Sequence, residues 1–265
     1  MLELARALDE YRARGFARLG RVLDDDALAP LRERADDLML GRVVHAGMFF
    51  QHDAESGRYE DLALGKGYIG PSLEYRKLEK LELDERFRGL VELPLFERIA
   101  RLAIEDADSE GVALYRSVLF SKSARGGSDI PWHQDGGRLW GLDRTPTLQI
   151  WVALDDAPEH GGCLEFYPES HLGGLATPLG GVIPSELIAA REAARALPPR
   201  ELVPARAGEA LLVHNLVWHR SGRSASGAPR RAVTTCYISG ATRCVRQRRA
   251  PRSFVRLWQH RDDAR

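Results

Sequence analysis

The sequence has few cysteines, no excess of charge of either sign and no long apolar run. Its three cysteines, Cys163, Cys236 and Cys244, are odd in number and lack a CxxC spacing. Neither a disulfide framework nor a zinc knuckle is therefore expected, and we interpret all three as reduced thiols. The 38 basic and 38 acidic residues give a formal net charge of zero, which provides no general attraction to nucleic acid or to an anionic membrane surface.

No stretch approaches the roughly 18 consecutive apolar residues of a membrane span. Acids and arginines interrupt the first residues, MLELARALDEYRARG, where a secretory signal would be apolar. These absences predict a cytoplasmic protein that binds neither membrane nor nucleic acid. An arginine-rich stretch at residues 243–256 is interpreted as a solvated tail or helix. No internal repeat or linker divides the 265 residues, so we predict a single domain over residues 1–265, as a monomer or homodimer.

The chain changes from helical to β character at about residue 110. Apolar spacing predicts helices over residues 2–14, 24–39 and 84–105, with a break at Pro94 in the last one. A short strand is predicted from Phe16. Further strands are predicted at residues 112–120, 147–154, 164–167, 210–215 and 232–238, and an Ala-rich helix at 184–196. Short strands in series predict a sandwich or barrel.

Residues 41–71 have no clear period and predict a loop or hairpin. A connection of this length usually covers a functional site. We predict a lid that closes over a small-molecule substrate, and the alternative is a structural hairpin anchored to the barrel. The side chains that we select as candidates for substrate contact are Phe49, Phe50, Gln51 and Tyr68.

The tripeptide His133-Gln134-Asp135 is the best candidate for metal binding. Positions i and i+2 of a strand point to the same face, so both side chains can reach one ion. His219, which follows the predicted strand at 210–215, is the leading candidate for a third ligand. Two imidazoles and one carboxylate form the facial triad of non-haem Fe(II) oxygenases, although zinc can use the same residue types. The other histidines are interpreted as solvent-facing or structural: His45, His52, His160, His171, His214 and His260.

Four ordered stretches resemble the phytanoyl-CoA dioxygenase family of Fe(II)- and 2-oxoglutarate-dependent oxygenases. They are Pro131-Trp-His-Gln-Asp135, Ile150-Trp-Val-Ala-Leu-Asp-Asp156, Gly161-Gly-Cys-Leu-Glu-Phe-Tyr-Pro-Glu-Ser-His171, and Trp218-His-Arg-Ser-Gly222 leading to Pro229-Arg-Arg-Ala232. Glu169 stands where the family usually has glycine. The resemblance implies an α+β fold: a jelly-roll double-stranded β-helix core at residues 111–240, with a helical part at 1–110 and helices outside.

The resemblance also implies roles for individual residues. His133, Asp135 and His219 match the iron ligands. Arg230 matches the arginine that pairs with the distal carboxylate of 2-oxoglutarate, and Arg231 beside it is the rival because only one of two neighbours on a strand can face the lumen. Further side chains match cosubstrate contacts, or share a face with one that does: Ser221, Trp151, Gln149, Lys80 and Val118.

The reaction implied by the resemblance consumes O2 and 2-oxoglutarate, hydroxylates a small organic substrate, and releases succinate and CO2. Desaturation, epimerisation and ring closure use the same type of centre and stay open. Halogenases of this fold replace the carboxylate ligand by Gly or Ala, so Asp135 disfavours chlorination. A non-catalytic jelly-roll binding protein is the alternative from another class.

Overall fold

Two antiparallel sheets form the centre of the fold, and helices cover the outer face of the larger sheet. The computed structural model describes residues 2–63, 67–247 and 252–259. Its helices are α1 (Leu2–Arg14), α2 (Asp25–Met39), α3 (Glu85–Val91), α4 (Pro94–Ala103), α5 (Ala107–Glu110) and α6 (Ser185–Ala193). Its strands are β1 (Phe16–Arg21), β2 (Phe49–His52), β3 (Tyr75–Glu79), β4 (Val112–Lys122), β5 (Ile130–Gln134), β6 (Leu148–Ala153), β7 (Leu164–Tyr167), β8 (Gly181–Val182), β9 (Glu201–Val203), β10 (Glu209–His214), β11 (Trp218–Ser221), β12 (Arg230–Ser239) and β13 (Val255–Trp258).

The larger sheet has the strand order β1-β10-β6-β12-β4-β3-β2, and β13 pairs with β4 beside this path. The smaller sheet has the order β8-β5-β11-β7-β9. Neighbours in the sheets are mostly distant in sequence, as in the antiparallel pairing of β12 with both β4 and β6. Such long-range antiparallel pairing is expected of a jelly roll.

Alternation along β6 shows how the layers are formed. Leu148, Ile150 and Val152 join the apolar cluster that includes the buried faces of α1 to α4. Trp151, between them, belongs to a second cluster, which joins the two sheets and includes Phe166 of β7. Because successive side chains point to opposite faces, one strand contacts the helices on one side and the smaller sheet on the other. The predicted α+β fold with a jelly-roll core and flanking helices is confirmed.

The predicted ends of the first two helices have clear local causes. Gly15, directly after α1, has a φ of +86°, a left-handed conformation that glycine adopts without steric cost. The carboxylate of Asp24 caps α2 by accepting a hydrogen bond from the amide of Ala27 at 2.9 Å. Glu169 also has a left-handed φ, of 65°, so the turn keeps the conformation expected of glycine.

Within residues 41–71, Phe49–His52 forms β2, which pairs with β3 at the edge of the larger sheet. This part of the segment is therefore a strand of a hairpin with β3. The arginine-rich stretch near the C-terminus also differs from a solvated tail, because part of it forms β13. Arg246, Arg252 and Arg256 donate to backbone carbonyls of Leu139, Tyr115 and Glu110.

Two expectations about composition have direct counterparts in the structure. Cys163, Cys236 and Cys244 are all free thiols. None of the helices in the described ranges is both long and apolar enough to cross a bilayer.

Candidate metal centre and cosubstrate pocket

Three potential metal ligands meet on two neighbouring strands of the smaller sheet. His133 lies on β5 and is the register partner of His219 on β11, and Asp135 directly follows β5. One ligand atom from each of the three residues lies within 4.8 Å of the others. The sequence prediction that His133, Asp135 and His219 come together is consistent with this geometry.

Backbone carbonyls orient both imidazole rings. The Nδ1 atom of His133 lies 2.8 Å from the carbonyl oxygen of Pro131, and that of His219 lies 2.9 Å from the carbonyl oxygen of Val217. A carbonyl oxygen only accepts hydrogen bonds, so each Nδ1 carries the proton. In the neutral ring, Nε2 then keeps its lone pair, which is the arrangement of a metal-binding histidine.

The Asp135 carboxylate is held by one side chain at each oxygen. Arg116 donates to Oδ1 at 3.1 Å, and the Gln149 amide donates to Oδ2 at 2.8 Å. Burial alone would raise the pKa of Asp135, but the nearby Arg116 guanidinium and the two imidazoles outweigh it and hold the pKa below its ordinary value. The carboxylate is thus ionised and fixed in orientation.

Burial lowers the pKa of the His133 imidazole, whereas it raises that of a carboxyl group. It lowers the pKa of His133 to about 4, and the neighbouring His219 contributes in the same direction. His133 is therefore neutral at physiological pH, as a metal ligand must be. Two imidazoles and one carboxylate suit a divalent transition metal with open coordination positions.

The triad opens into a cavity of about 660 Å³, within the usual size range of small-molecule sites. Ser221, Arg230, Gln149 and Trp151 line this cavity together with the triad. The Ser221 hydroxyl oxygen and the Arg230 Nε are buried and have no hydrogen-bond partner among the described residues. Buried donors without partners are costly, so the pocket is suited to a ligand that accepts from both.

Arg230 and Arg231 take opposite directions from β12. Arg230 lines the cavity, whereas Arg231 donates from two guanidinium nitrogens to Asp155, at 2.8 and 3.0 Å, and from a third to Asp36 at 2.6 Å. The guanidinium of Arg231 is therefore occupied by protein carboxylates. Of these two neighbours, Arg230 is the one that lines the cavity.

Two side chains predicted to contact the cosubstrate, those of Lys80 and Val118, are not among those that line the cavity. Lys80 is exposed and has a left-handed φ of 68°, at the point where the chain leaves β3, and it does not line the cavity. Lys77, three residues earlier, lines the cavity and forms an ion pair with Glu79. Val118 is fully buried between Arg116 and Phe120 on the same face of β4, and it is also not among the lining side chains.

The four predicted substrate contacts divide into two pairs. Phe49 and Gln51 line the cavity. Phe50 points to the other face of β2, where its ring packs against Tyr75 and Tyr68 with centroid separations of 5.3 Å. Tyr68 stacks on Tyr75 in this aromatic group and does not line the cavity. Phe50 and Tyr68 thus lie outside the cavity wall, and a role for them in substrate contact stays a prediction.

Sequence reasoning missed three arginines of the cavity, Arg76, Arg116 and Arg220. Arg116 contacts Asp135 and lies over the Trp140 ring, 4.3 Å from its centroid. The sequence signal for Arg116 was a charged residue within a strand of mostly apolar residues. Arg76 is placed by a β-bulge: Gln51 and His52 are consecutive, yet they pair with Lys77 and Tyr75, which leaves Arg76 as the extra residue. A bulge can turn a side chain into a site, and no pattern in the sequence indicates this bulge.

Four of the histidines outside the triad have structural contacts. His45 lies 2.9 Å from the Asp84 carboxylate, and His52 lies 3.1 Å from the Ser72 hydroxyl. The rings of His171 and His214 pack with their centroids 4.7 Å apart. His160 is exposed, and His260 lies outside the described residues.

Comparisons with known proteins agree with this architecture. The family model described as phytanoyl-CoA dioxygenase (PhyH) matches residues 11–232. Phytanoyl-CoA dioxygenase domain-containing protein 1 from Bos taurus is 32% identical over 124 residues, which cover 45% of this chain and 42% of the bovine protein. The Danio rerio protein of the same name is 35% identical over 130 residues, covering 46% of this chain and 43% of its own length. The matched region thus spans less than half of these relatives.

Solved structures with low sequence identity share the fold. The epimerase SnoN, in complex with Fe3+, alpha ketoglutarate and nogalamycin RO, has a TM-score of 0.72 at 20% identity, covering 99% of this chain and 97% of that one. EctD from S. alaskensis, with 2-oxoglutarate and 5-hydroxyectoine, has a TM-score of 0.69 at 19% identity, covering 96% and 86%. At these identities the likeness establishes the fold alone.

Proposed function

Because the chain belongs to the phytanoyl-CoA dioxygenase family, we propose that it is a non-haem Fe(II)- and 2-oxoglutarate-dependent oxygenase that hydroxylates a small organic substrate. In the proposed reaction, 2-oxoglutarate and O2 are consumed with the substrate, one oxygen atom enters the new hydroxyl group, the other enters succinate, and CO2 leaves. SnoN, which shares the fold and was crystallised with Fe3+ and alpha ketoglutarate, is named an epimerase. The experiment below therefore has to distinguish hydroxylation from other oxidative outcomes.

His133, Asp135 and His219 would hold the iron. When bound, Fe(II) would activate O2, and the keto acid would supply two electrons. The chain's own contribution is orientation: the carbonyls of Pro131 and Val217 fix the imidazoles, and Arg116 and Gln149 fix the carboxylate. Such partners of metal ligands typically change metal affinity or activity by 10–100-fold when they are removed.

Arg230 and Ser221 would bind the distal carboxylate of 2-oxoglutarate. A guanidinium donates two parallel hydrogen bonds to a carboxylate, and a serine hydroxyl adds a third donor. Trp151 forms part of the apolar wall of the same cavity, and an apolar wall strengthens charged contacts by excluding water. These side chains are therefore suited to the distal carboxylate of a dicarboxylate.

The observation that carries the proposal is the pair of buried, unpartnered donors beside the metal triad. Ser221 Oγ and Arg230 Nε have no partner among the described residues, and both residues line the cavity into which the triad opens. A structural zinc site requires four protein ligands and no anion pocket. A binding module without metal chemistry has no reason to place an anion pocket beside such a triad.

Succinate formation tests the proposal directly. The purified protein, reconstituted with Fe(II), is incubated with 2-oxoglutarate, 18O2 and a panel of small organic compounds. We expect succinate in amounts that depend on Fe(II), and a product that contains one 18O atom for the active compound. A product without 18O that is desaturated, epimerised or cyclised would show that the reaction is not a hydroxylation. Absence of Fe(II)-dependent succinate with every compound and without compound would contradict the oxygenase assignment.

A further inference from the structure

Lys122, the last residue of β4, is a buried basic residue that the proposed reaction does not use. Its exposed fraction is 2%. Its stem packs so closely against Gly162 that a Cβ added to that glycine would lie 2.7 Å from the Lys122 Cδ atom. Its Nζ donates one hydrogen bond, at 2.7 Å, to the carbonyl oxygen of Ser128. An ammonium group has three N–H donors, so two of them would have no acceptor among the described residues.

The surroundings of this lysine contain more positive than negative charge. Arg230 is its register partner on β12, so the two side chains leave neighbouring strands on the same face of the larger sheet. Arg76 is a second guanidinium that repels a charge on Lys122, and Asp53 and Asp129 are carboxylates that attract it more weakly. No carboxylate lies within 4.0 Å of the Lys122 Nζ atom among the described residues.

The weaker of two adjacent buried bases loses its proton first. Lysine is a weaker base than arginine by about two pKa units. Burial lowers the pKa of Arg230 only to about 10, so that guanidinium stays charged at neutral pH. Burial first, and then the two guanidiniums, lower the pKa of Lys122 well below its ordinary value. The missing proton is therefore that of the lysine.

We propose that Lys122 is an uncharged amine in the protein without cosubstrate and takes up one proton from solvent when 2-oxoglutarate binds at Arg230. This inference rests on the proposed function, because it needs the distal carboxylate of the cosubstrate beside Arg230. That carboxylate offsets the positive charge that repels an ammonium group, and a negative charge favours the charged form of a base. The proton binds to the Nζ lone pair, and no other bond forms or breaks. Lys122 does not line the cavity, so it acts on the cosubstrate through its charge.

The direction of the pH dependence follows from this linkage. The complex holds one more proton than the free protein, so 2-oxoglutarate binds more tightly as the pH falls. Between the pKa of Lys122 in the free protein and its higher pKa in the complex, the Kd rises by about tenfold per pH unit. Both carboxyl groups of 2-oxoglutarate are ionised above about pH 6, so the ligand itself exchanges no proton there.

Calorimetry counts the proton directly. Mn(II)-loaded protein is titrated with 2-oxoglutarate in buffers of equal pH and different ionisation enthalpy, between about pH 6.5 and about pH 9. The dependence of the observed heat on the ionisation enthalpy of the buffer gives the number of protons taken up. For the wild-type protein we expect an uptake that approaches one proton per site within this range, together with a Kd that rises with pH.

Variants assign the proton to one side chain. Lys122→Met removes the amine and keeps the metal with its bound water, so the uptake should disappear and the Kd should lose its pH dependence. Lys77→Met is the matched control, because Lys77 lines the cavity and is paired with Glu79. This control should retain the uptake, whatever its Kd. Lys122→Gln repeats the test with a side chain that can still donate to the Ser128 carbonyl, and circular dichroism verifies that each variant is folded.

A second measurement needs no 2-oxoglutarate. An amine that is neutral in the folded protein and charged in the unfolded chain lowers the free energy of unfolding as the pH falls below about 10. The free energy of unfolding of Lys122→Met, measured with urea, should therefore increase relative to that of the wild-type protein as the pH is lowered from about 10 to about 7.

Three results would overturn the inference. One is binding of 2-oxoglutarate to the wild-type protein without proton uptake at every pH. Another is an uptake that persists in Lys122→Met, which would place the proton elsewhere, for example on water bound to the metal. The third is an equal pH dependence of unfolding in wild type and Lys122→Met, which would show that Lys122 is charged in the free protein. Failure of the wild-type protein to bind 2-oxoglutarate would instead contradict the proposed function, and the unfolding measurement would still report on Lys122.

Discussion

The two faces of the larger sheet come from the same strands and have opposite chemistry. On the face covered by helices, β6 contributes Leu148, Ile150 and Val152 to an apolar cluster. On the other face, the same strand contributes Gln149 and Trp151 to the cavity. Stability and function are thus separated by the direction of successive side chains, and neighbouring residues can be changed to affect one without the other.

The difference lies in how polar groups are satisfied. The helix-covered face buries apolar side chains, and burial of one such side chain contributes about 1.5–3 kcal/mol. The cavity face contains buried polar atoms without partners, namely Gln149 Oε1, Ser221 Oγ, Arg230 Nε and Arg116 Nε. Such atoms lower stability unless a ligand satisfies them. The cavity face is therefore completed by what it binds.

The pair Arg230 and Arg231 provides the largest expected contrast. Arg230→Lys keeps a charge and loses the two-pronged geometry, so the KM for 2-oxoglutarate should rise by about tenfold to more than a hundredfold. Arg231→Lys breaks the contacts with Asp155 and Asp36, so it should lower the free energy of unfolding and leave that KM unchanged. Steady-state succinate assays and urea unfolding measure the two effects. The opposite ranking would transfer the cosubstrate role to Arg231.

Gln149 and Ile150 separate the two faces within one strand. Gln149→Leu removes the donor to Asp135 and should weaken Fe(II) binding by about 10–100-fold, with little change in stability. Ile150→Ala leaves a cavity under the helices and should lower the free energy of unfolding by about 2–5 kcal/mol, with unchanged Fe(II) affinity. Metal titration and chemical unfolding distinguish these outcomes. If both variants lost both properties equally, the separation of the faces would be wrong.

Phe49 and Phe50 are a second pair of neighbours that face the cavity and the core, at the edge of the sheet. We expect a smaller effect on function here. Phe50→Ala should lower the free energy of unfolding by about 3 kcal/mol, because the ring packs against Tyr75. Phe49→Ala should preserve stability and increase the ratio of succinate to oxidised product, because it opens the cavity to water. That ratio, measured with a substrate from the panel, is the readout. An unchanged ratio in Phe49→Ala would remove this residue from the substrate contacts.

Much of the site followed from periodicity and order along the chain. His133 and Asp135 are two residues apart at the end of a strand, and this spacing alone places both side chains on one face. Alternation also required that only one of Arg230 and Arg231 face the cavity, and the resemblance selected Arg230. The helix ends at Gly15 and Asp24 followed from local backbone chemistry that tertiary packing did not override.

Strand register limits what the sequence alone can predict about β2 and β3. A shift by one residue exchanges the two faces of a strand, so Phe49 and Phe50 could not be told apart without the pairing of β2. Lys80 lies beyond the end of β3, and Lys77 lies within it. The bulge that places Arg76 depends on how β2 and β3 pair, and this pairing is invisible in a segment without clear periodicity.

Lid movement of residues 41–71 and a cytoplasmic location remain predictions. For the lid, the structure shows that β2 is part of the larger sheet and that Phe49 and Gln51 line the cavity. Closure, if it occurs, therefore involves the parts of the segment outside β2.

Joint binding of Fe(II) and 2-oxoglutarate is the central claim, and its direct measurement is an anaerobic titration followed by visible absorption. A keto acid that chelates Fe(II) produces a metal-to-ligand charge-transfer band, which neither component gives alone. We expect the band at one equivalent of each component in the wild-type protein, its absence in His133→Ala, and a higher 2-oxoglutarate requirement in Arg230→Lys. A wild-type protein that binds Fe(II) and 2-oxoglutarate without producing the band, or a band of equal intensity in His133→Ala, would contradict the account.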